Sequence, residues 1–429
     1  MKLKRFLTSA ITLGLLIGVS NVLNGSTARQ QFSMSYPSVV CPSTIKSLAS
    51  QVSVGSPNTK IRRIGSTSAK FVKSRALRFP VLTDPILVDA QGITPIVWQS
   101  RPGSWAGGTI CSDPVISQWF VGGSADITAR GKLILVNSGL SESVADVYIW
   151  SATSPASTKA ITVNANSVEA VGLDSLAPGE SSIVIRVASR SGRLNSFMVD
   201  ERGKGLRALG GDLVNPSVSP AKQIYIPAIP MQQKIKNAPA QQLRVLAPGD
   251  ADANVSVEIM SGDGRFIPVG FNEILIKKGQ VMNFPLSPKV SSSVYGMRIT
   301  SDEPIVAGVF ANVGNDFVWS TSVPPLSPFT IAMTGMSPLL VFIGESIRVD
   351  LEITLTSGKK IRKNIEGSDI AFLRVPANSR NLTFLSVSAD TYGSALQSSV
   401  NGFGSIPLIA GSVLTKSAVP TANIRVLNP

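Results

Sequence analysis

The sequence contains no histidine among its 429 residues. Catalytic triads that use histidine, histidine-ligated zinc and imidazole acid–base catalysis are therefore excluded. Only two cysteines are present, Cys41 and Cys111, so a zinc site made of cysteines alone would need more ligands than one chain supplies. From these absences we predict no catalytic, cofactor-binding or metal-binding residue, and no cofactor.

Acidic residues are also missing from the first part of the chain. Twelve of the 40 Lys and Arg residues precede Asp84, the first acidic residue, so the remaining chain carries 28 basic against 26 acidic residues. The net charge of +14 therefore belongs mainly to the N-terminal region. Such a region favours anionic partners through long-range attraction. We expect an anionic envelope polymer or a membrane surface rather than nucleic acid, and the oligomeric state is left open.

The first 28 residues read as an export signal. Lys2, Lys4 and Arg5 precede an uncharged apolar run, and Ser26 and Ala28 suit cleavage by a signal peptidase. The alternative is an uncleaved membrane anchor, because the run approaches the length that spans a bilayer. Both interpretations predict an exported protein at the cell surface or outside the cell.

Export makes a disulfide between Cys41 and Cys111 chemically reasonable, since oxidising compartments preserve disulfides. Closing a loop of this size would stabilise the fold by roughly 4 kcal/mol on the chain-entropy model. The alternative is a pair of buried free thiols.

Residues 29–120 show the least regular pattern, and we interpret them as a basic, irregular, β-rich lead-in. Basic and apolar residues alternate there, which is typical either of strands with one solvated face or of a patch for an anionic partner. The basic residues are Lys60, Arg62, Arg63, Lys70, Lys73, Arg75 and Arg78.

Three of the five tryptophans, Trp98, Trp105 and Trp119, cluster near glycines at the end of this lead-in. Aromatic rings beside glycine-rich loops could stack on a sugar. They could equally form a small core next to Cys111.

Short alternating runs bounded by turn residues continue from Leu133 onward, and they predict strands throughout. The chain also repeats itself. Leu133 to Gly139 aligns with Leu243 to Gly249 at a spacing of 110 residues, and Ile183 to Ala188 aligns with Tyr295 to Thr300 at 112. Small changes in spacing are expected from loop insertions between duplicated domains.

A weaker third copy includes the alternating residues from Ile347 to Leu355. Units of about 100 residues with several short strands are typical of Ig-like sandwiches. We therefore predict an all-β protein of tandem Ig-like β-sandwich modules after the signal or anchor segment. The predicted modules are residues 121–222, 223–328 and 329–429, the last as the weaker repeat.

Carboxylate pairs leave one enzyme class open, because glycoside hydrolysis needs no histidine. The candidates are Asp200, Glu201, Asp302, Glu303 and Asp316. Adjacent residues of a strand point to opposite faces, so the first two pairs are poorly placed to act together, and we interpret these residues as solvated loop charges.

Several short motifs resemble a known family: Cys111 with Trp119 and Gly122-Gly123, then Leu135-Val-Asn137, Leu243-Arg-Val-Leu-Ala-Pro-Gly249, Ser301-Asp-x-Pro-Ile-Val-Ala307 and Trp319. Over about residues 100–325 the chain resembles the actinobacterial secreted proteins grouped as domain of unknown function 5719. The resemblance implies an exported, envelope-associated β-protein, and it implies no ligand.

Together these patterns predict a non-enzymatic exported cell-envelope protein for surface association or adhesion, with its basic region facing anionic polymer or lipid. The alternatives are a carbohydrate-binding protein that uses Trp98, Trp105 or Trp119, and a carboxylate-based glycosidase.

Overall fold

The computed structural model describes residues 32–35, 37–45, 48–68, 70–205, 207–232, 240–400, 402–412 and 417–420. The predicted signal or anchor segment, residues 1–28, lies outside the described residues. In the described part the chain forms 33 strands and one four-residue helix, so the all-β prediction is confirmed. No helix in these ranges has the length and apolar character needed to cross a membrane.

The chain divides into two compact units. The smaller unit combines the two ends of the chain, where β1 (Phe32–Ser35) pairs in antiparallel fashion with β33 (Ser417–Pro420). The larger unit, Ser38–Val413, contains all other strands. We divide this larger unit into an N-terminal subdomain and subdomains 1, 2 and 3.

The N-terminal subdomain consists of two four-stranded antiparallel sheets. Its strands are β2 (Val39–Cys41), β3 (Ala49–Ser53), β4 (Lys60–Arg63), β5 (Val72–Lys73), β6 (Arg78–Val81), β7 (Ile86–Asp89), β8 (Ile93–Thr94), β9 (Ile96–Ser100) and β10 (Ala106–Ile110). The sheet orders are β2-β7-β4-β5 and β10-β9-β3-β6. Val52, Val88 and Val97 belong to one buried cluster, so the stretch that we interpret as irregular from its sequence has a core of its own.

Subdomain 1 is also built from two four-stranded sheets, ordered β11-β16-β13-β14 and β15-β12-β17-β18. Its strands are β11 (Ser117–Val121), β12 (Lys132–Asn137), β13 (Ser143–Ser151), β14 (Ser157–Val163), β15 (Ser167–Gly172), β16 (Ile183–Ser191), β17 (Leu194–Lys204) and β18 (Arg207–Val214). The helix α1 (Leu173–Leu176) follows β15 and buries Leu173 and Leu176 in the core of this subdomain.

Subdomain 2 is organised around one long strand. Its strands are β19 (Ala221–Pro230), β20 (Gln241–Leu246), β21 (Ala253–Ser261), β22 (Gly264–Phe266), β23 (Ile274–Ile276), β24 (Met282–Leu286), β25 (Val294–Val313) and β26 (Asp316–Thr321). The first half of β25 pairs with β19 and β21, and its second half pairs with β20 and β26. Because β25 crosses between two sets of partners, it joins both layers of the subdomain.

The strands that align in the sequence repeat have equivalent partners. β12 lies between β15 and β17, and β20 lies between β24 and the second half of β25. β13 and β21 pair in the same way with β16 and the first half of β25. One difference separates the copies: β16 and β17 are divided by a turn at Gly192, whereas β25 runs without a break.

Subdomain 3 is a single sheet ordered β32-β31-β28-β30-β27-β8, with β29 paired to β28. Its own strands are β27 (Phe329–Ala332), β28 (Leu339–Leu355), β29 (Lys360–Arg374), β30 (Ser379–Val387), β31 (Tyr392–Ser399) and β32 (Gly402–Pro407). β28 changes partner along its length, from β31 to β30, and it forms a long hairpin with β29. The last strand in the order, β8, comes from the N-terminal subdomain and pairs with β27 in parallel.

Each subdomain shares buried clusters with two others. The shared pairs are Trp105 with Phe197 for the N-terminal subdomain and subdomain 1, Leu135 with Trp319 for subdomains 1 and 2, Tyr225 with Tyr392 for subdomains 2 and 3, and Phe342 with Trp98 for subdomain 3 and the N-terminal subdomain. The four subdomains therefore close into a ring, like a four-bladed propeller. Independent modules in a row would not share cores in this way.

Candidate functional sites at the basic edge and the central junction

The seven predicted basic residues separate into two groups. Arg62 is buried and donates to Asn166 Oδ1 (2.8 Å) and to the Ser138 carbonyl (3.2 Å), both in subdomain 1. Arg78 donates to the Gly335 carbonyl in subdomain 3 (2.6 Å), and burial lowers its pKa. These two arginines connect the N-terminal subdomain to its neighbours, so they are not free for a partner.

The other five, Lys60, Arg63, Lys70, Lys73 and Arg75, are exposed, and together we call them the basic edge. Lys60 and Lys73 lie directly opposite each other on β4 and β5. No ion pair in the described part of the chain involves any of the five, although Asp89 lies opposite Lys60 on the other side of β4. Like charges on opposed strands repel each other, so a bound anion would reduce the electrostatic repulsion between Lys60 and Lys73.

The three predicted stacking residues lie within cores. Trp105 is fully buried, and Trp98 and Trp119 expose 7% and 5% of their surfaces. Trp98 packs against subdomain 3, Trp105 against subdomain 1 and Trp119 against subdomain 2. A sugar needs an exposed ring face, so the described structure does not offer these three rings to a glycan.

Partly exposed aromatic residues do occur beside Trp119. Trp150 stacks on Trp119 with 5.2 Å between ring centroids, and Tyr148 stacks on Trp150 at 6.1 Å. The Arg186 guanidinium lies between Trp119 and Tyr148, at 5.5 and 5.3 Å from their ring centroids. This row crosses β11, β16 and β13 on the face that points away from the core of subdomain 1.

The predicted disulfide is present between Cys41 and Cys111. It joins β2 to the residue that follows β10, and these strands belong to different sheets of the N-terminal subdomain. The bridge therefore fastens the two layers of a small core together.

Two of the five candidate carboxylates are not solvated, which corrects the interpretation from sequence. Asp200 is fully buried, and its Oδ2 accepts hydrogen bonds from Trp319 Nε1 and Arg202 Nη2, both at 2.9 Å. Asp316 exposes only 4% of its surface. Asp302 is exposed, and its carboxylate accepts hydrogen bonds from the backbone N–H (2.7 Å) and from Nδ2 (2.8 Å) of Asn254.

Asp316 lies where the four subdomains meet. Its Oδ1 accepts the Gly211 N–H of subdomain 1 at 3.0 Å. Its Oδ2 accepts the Ala106 N–H of the N-terminal subdomain at 3.2 Å and the Phe403 N–H of subdomain 3 at 3.3 Å. One side chain of subdomain 2 therefore holds all three other subdomains. A Cβ at Gly402, where φ is +149°, would collide with Asp316 Oδ2, which explains the need for glycine beside this carboxylate.

Asn215 reinforces the same junction. Its Nδ2 donates to the carbonyls of Gly108 (2.9 Å) and Ser405 (2.7 Å), and its Oδ1 accepts from Thr109 Oγ1 at 2.7 Å. We call Asp316, Asn215 and Asp212 the central junction. Asp212 Oδ2 accepts the Trp319 N–H at 2.7 Å, while its buried Oδ1 has no hydrogen-bond partner among the residues that the structure describes.

The electrostatics of the central junction favour protonated carboxyl groups. Burial raises the pKa of Asp316 to about 7, although several backbone N–H donors act in the opposite direction. Burial also raises the pKa of Asp212 well above its ordinary value, and the nearby carboxylates of Asp316 and Asp200 add to this effect. The junction can therefore take up protons as the pH falls, but its carboxyls are closed off from any substrate.

A buried cation lies near this junction. Arg244 Nη1 donates to the carbonyls of Gly123 (2.7 Å) and Ile183 (3.0 Å), and its Nη2 donates to Ser182 Oγ (3.1 Å). Its guanidinium also covers the Trp319 ring at 4.7 Å. Burial lowers the pKa of Arg244 to about 9, because neutral acceptors replace the water that would stabilise its charge.

The sequence matches the family of unknown function DUF5719 over residues 98–363, which is more than half of the chain. The chain belongs to the DUF5719 family. No curated protein and no solved structure matches this sequence. The family assignment agrees with the resemblance found in the sequence.

The DUF5719 match extends from β9 of the N-terminal subdomain into β29 of subdomain 3. It includes Ala106, Asp212, Asn215, Arg244 and Asp316, and therefore the whole of the central junction. The basic edge and Cys41 precede the match. No local sequence pattern connects Asp212 and Asn215 with Asp316, because about 100 residues separate them in the chain.

Proposed function

We propose that this DUF5719 protein is an exported, non-enzymatic protein of the cell envelope that associates with anionic polymer or lipid through its basic edge. The observation that carries this proposal is the exposed set Lys60, Arg63, Lys70, Lys73 and Arg75, which lacks ion-pair partners in the described structure. The export signal predicted for residues 1–28 and the disulfide agree with a location outside the cytoplasm. The resemblance to actinobacterial secreted proteins supports the same location.

We further infer that subdomains 1 and 2 are duplicated relatives of an Ig-like sandwich. Their equivalent strand pairing and their spacing of about 110 residues support a duplication. The ring would then provide a rigid support that presents the basic edge.

Substitution of the five basic-edge residues by glutamine tests the proposed function. Arg62 and Arg78 stay unchanged because they connect subdomains. We expect binding to purified anionic wall polymer or to vesicles with anionic lipid to weaken at least tenfold, since each charge contributes to the attraction. Co-sedimentation at several salt concentrations measures the affinity.

A matched control removes the same number of positive charges elsewhere. Lys132, Lys204, Arg207, Lys222 and Lys289 are exposed and form no ion pair within the described chain, so their replacement by glutamine changes the net charge equally. Equal binding by the basic-edge variant and the control variant would contradict the proposal, because net charge alone would then explain the attraction.

A second candidate function is glycan binding, which the row of Tyr148, Trp150 and Arg186 favours. The rings are partly exposed and the guanidinium can donate hydrogen bonds to sugar hydroxyls. A titration of tryptophan fluorescence with a panel of envelope glycans tests it, since Trp150 would report a sugar beside Tyr148. A flat signal across the panel, or binding unchanged in Tyr148→Ala, would count against this function.

The glycosidase alternative gains no support from its candidate residues. Asp200 and Asp316 are buried in hydrogen bonds to the protein, and Asp302 is engaged by Asn254. A glycosidase needs two carboxyl groups that both reach the scissile bond.

A further inference from the structure

A second set of exposed cations lies on the hairpin between β28 and β29. Lys359, Lys360, Arg362 and Lys363 are all exposed, and we call them the basic hairpin. One carboxylate, Glu352, pairs with Lys360 at 2.7 Å and approaches Arg362 at 3.8 Å. Lys359 and Lys363 form no ion pair in the described chain. The near balance of charge after Asp84 hides this local excess in the sequence.

Strand register connects the basic hairpin to the N-terminal subdomain. Lys360 lies opposite Thr354 on β28, and Thr354 lies opposite Asn381 on β30. Two strand spacings separate Lys360 from Asn381, which is about 10 Å. Asn381 Nδ2 and Arg380 Nε both donate to the Gly55 carbonyl, at 3.1 and 3.0 Å.

The contact at Gly55 brings the basic hairpin near the basic edge. Gly55 precedes Lys60 by five residues, and even a fully extended chain would cover only about 17 Å over that length. The Cα atoms of Lys60 and Lys360 therefore lie within roughly 35 Å of each other. Arg380, which is partly exposed, lies between the two groups.

Lys60 of the basic edge and Lys360 of the basic hairpin thus lie on the two sides of the contact between the N-terminal subdomain and subdomain 3. The two groups contain nine cations from distant parts of the sequence. The acidic residues near them are Asp84 and Asp89 beside the basic edge, and Asp350, Glu352 and Glu366 beside the basic hairpin. A single small anion would contact only one group. An extended chain that carries many anionic groups can contact both groups. Once it is bound to one group, its binding to the other is an intramolecular step, which raises the overall affinity.

We propose that the basic edge and the basic hairpin together bind one linear polyanionic polymer across the joint between the N-terminal subdomain and subdomain 3. This inference rests on the proposed function, because it names the partner class of the same surface. The polymer carries repeated phosphate or carboxylate groups along a flexible chain. A lipid surface is an alternative partner that the experiment separates.

The experiment compares inorganic polyphosphate of long chain length with tripolyphosphate, using the full exported protein. Three variants are needed: the basic-edge variant with five glutamines, a hairpin variant with Lys359→Gln and Lys363→Gln, and their combination. The hairpin variant spares Lys360 and Arg362, so Glu352 keeps both partners. We expect either single variant to weaken long-chain binding at least tenfold, because each removes one end of a bivalent contact.

Tripolyphosphate provides the internal control, since it is too short to span the two groups. Its weaker binding at the basic edge should be the same in the wild type and in the hairpin variant. Long-chain binding should also show a steeper dependence on salt concentration than tripolyphosphate binding, because more counterions are released. Isothermal titration calorimetry measures both, and thermal unfolding confirms that each variant is folded.

The possible results separate the two proposals. Long-chain binding that is lost in the basic-edge variant but unchanged in the hairpin variant would overturn the inference of a shared polymer and leave the proposed function standing. Binding to anionic vesicles without binding to polyphosphate would also overturn the inference, in favour of a lipid partner. If the wild type bound neither polyphosphate nor anionic vesicles, the proposed function itself would fail.

Discussion

Asp316 contacts three other subdomains through one carboxylate, and its protonation is therefore tied to the stability of the ring. Its pKa is raised from 3.8 to about 7 in the folded protein. At pH values between these two pKa values, Asp316 therefore carries a proton in the folded state, whereas in the unfolded state it has released that proton. The resulting stabilisation is fully present below about pH 4 and is lost as the pH rises through about 7.

We expect the free energy of unfolding to fall with rising pH across this window, by on the order of 4 kcal/mol from Asp316 alone. Asp316→Asn should flatten the dependence, while the raised pKa of Asp212 leaves a smaller slope. The variant should also lose about 1–3 kcal/mol at pH 5, because its amide nitrogen faces N–H donors. Urea unfolding at a series of pH values measures both effects.

Glu169→Gln is the matched control for Asp316→Asn, because Glu169 is exposed on β15. The free energy of unfolding of this variant should depend on pH in the same way as that of the wild type. An unchanged slope in Asp316→Asn would mean that Asp316 does not bind a proton in this range.

Arg244 is the second residue whose removal should lower the free energy of unfolding strongly. Arg244→Ala removes the guanidinium that donates to the buried carbonyls of Gly123 and Ile183 and covers the Trp319 ring. We expect a loss of about 3 kcal/mol or more, since hydrogen bonds to a charged group contribute strongly. Arg348→Ala, at an exposed position, should change stability by less than about 0.5 kcal/mol. Chemical denaturation compares the two, and equal losses would contradict this role for Arg244.

The sequence supports correct predictions at some residues and not at others, for physical reasons. Cys41 and Cys111 could be paired because no other cysteine competes. Asp316 could be noticed as a candidate carboxylate, but its burial depends on backbone N–H groups from residues 106, 211 and 403, which no local pattern connects. The sequence also does not distinguish a tryptophan that faces a ligand from one that packs against a neighbouring subdomain, because both can lie beside glycine.

At the scale of strands, the disulfide is the feature whose removal is simplest to follow. Cys41→Ser with Cys111→Ser should lower the stability by about 2–4 kcal/mol, because the unfolded chain regains the freedom of a long loop. Hydrogen exchange should rise mainly in β2, β7, β9 and β10, which lie next to the bridge. Exchange that rose equally in subdomain 2 would show that the bridge has no local role.

Strand pairing was predictable where the sequence repeats and unpredictable where it does not. The alignment of Leu133 to Gly139 with Leu243 to Gly249 placed β12 and β20 correctly as equivalent strands. The unbroken β25 could not be foreseen, because Pro304 suggests an interruption that the strand passes through. The individual strands within residues 38–116 could not be located from the sequence, since short strands of two to five residues leave little periodicity.

At the scale of the whole molecule, shared cores predict a cooperative protein. Four independent sandwiches would unfold in separate steps, whereas subdomains that share buried clusters should unfold together. We expect one calorimetric transition with a van't Hoff enthalpy close to the calorimetric enthalpy. Two or more resolved transitions for the larger unit would contradict the shared cores.

The parallel pairing of β8 with β27 has a consequence for the order of folding. Ile93 and Thr94 find their partners, Thr330 and Ile331, more than 200 residues later. Closing so long a loop costs chain entropy and slows folding. As the chain emerges from its N-terminus, β8 must therefore wait for β27, in the last third of the chain, before it can join the sheet of subdomain 3. Until then β8 stays without its partner strand during synthesis and export, and we expect this interval to be the period when the protein is most vulnerable to aggregation and proteolysis.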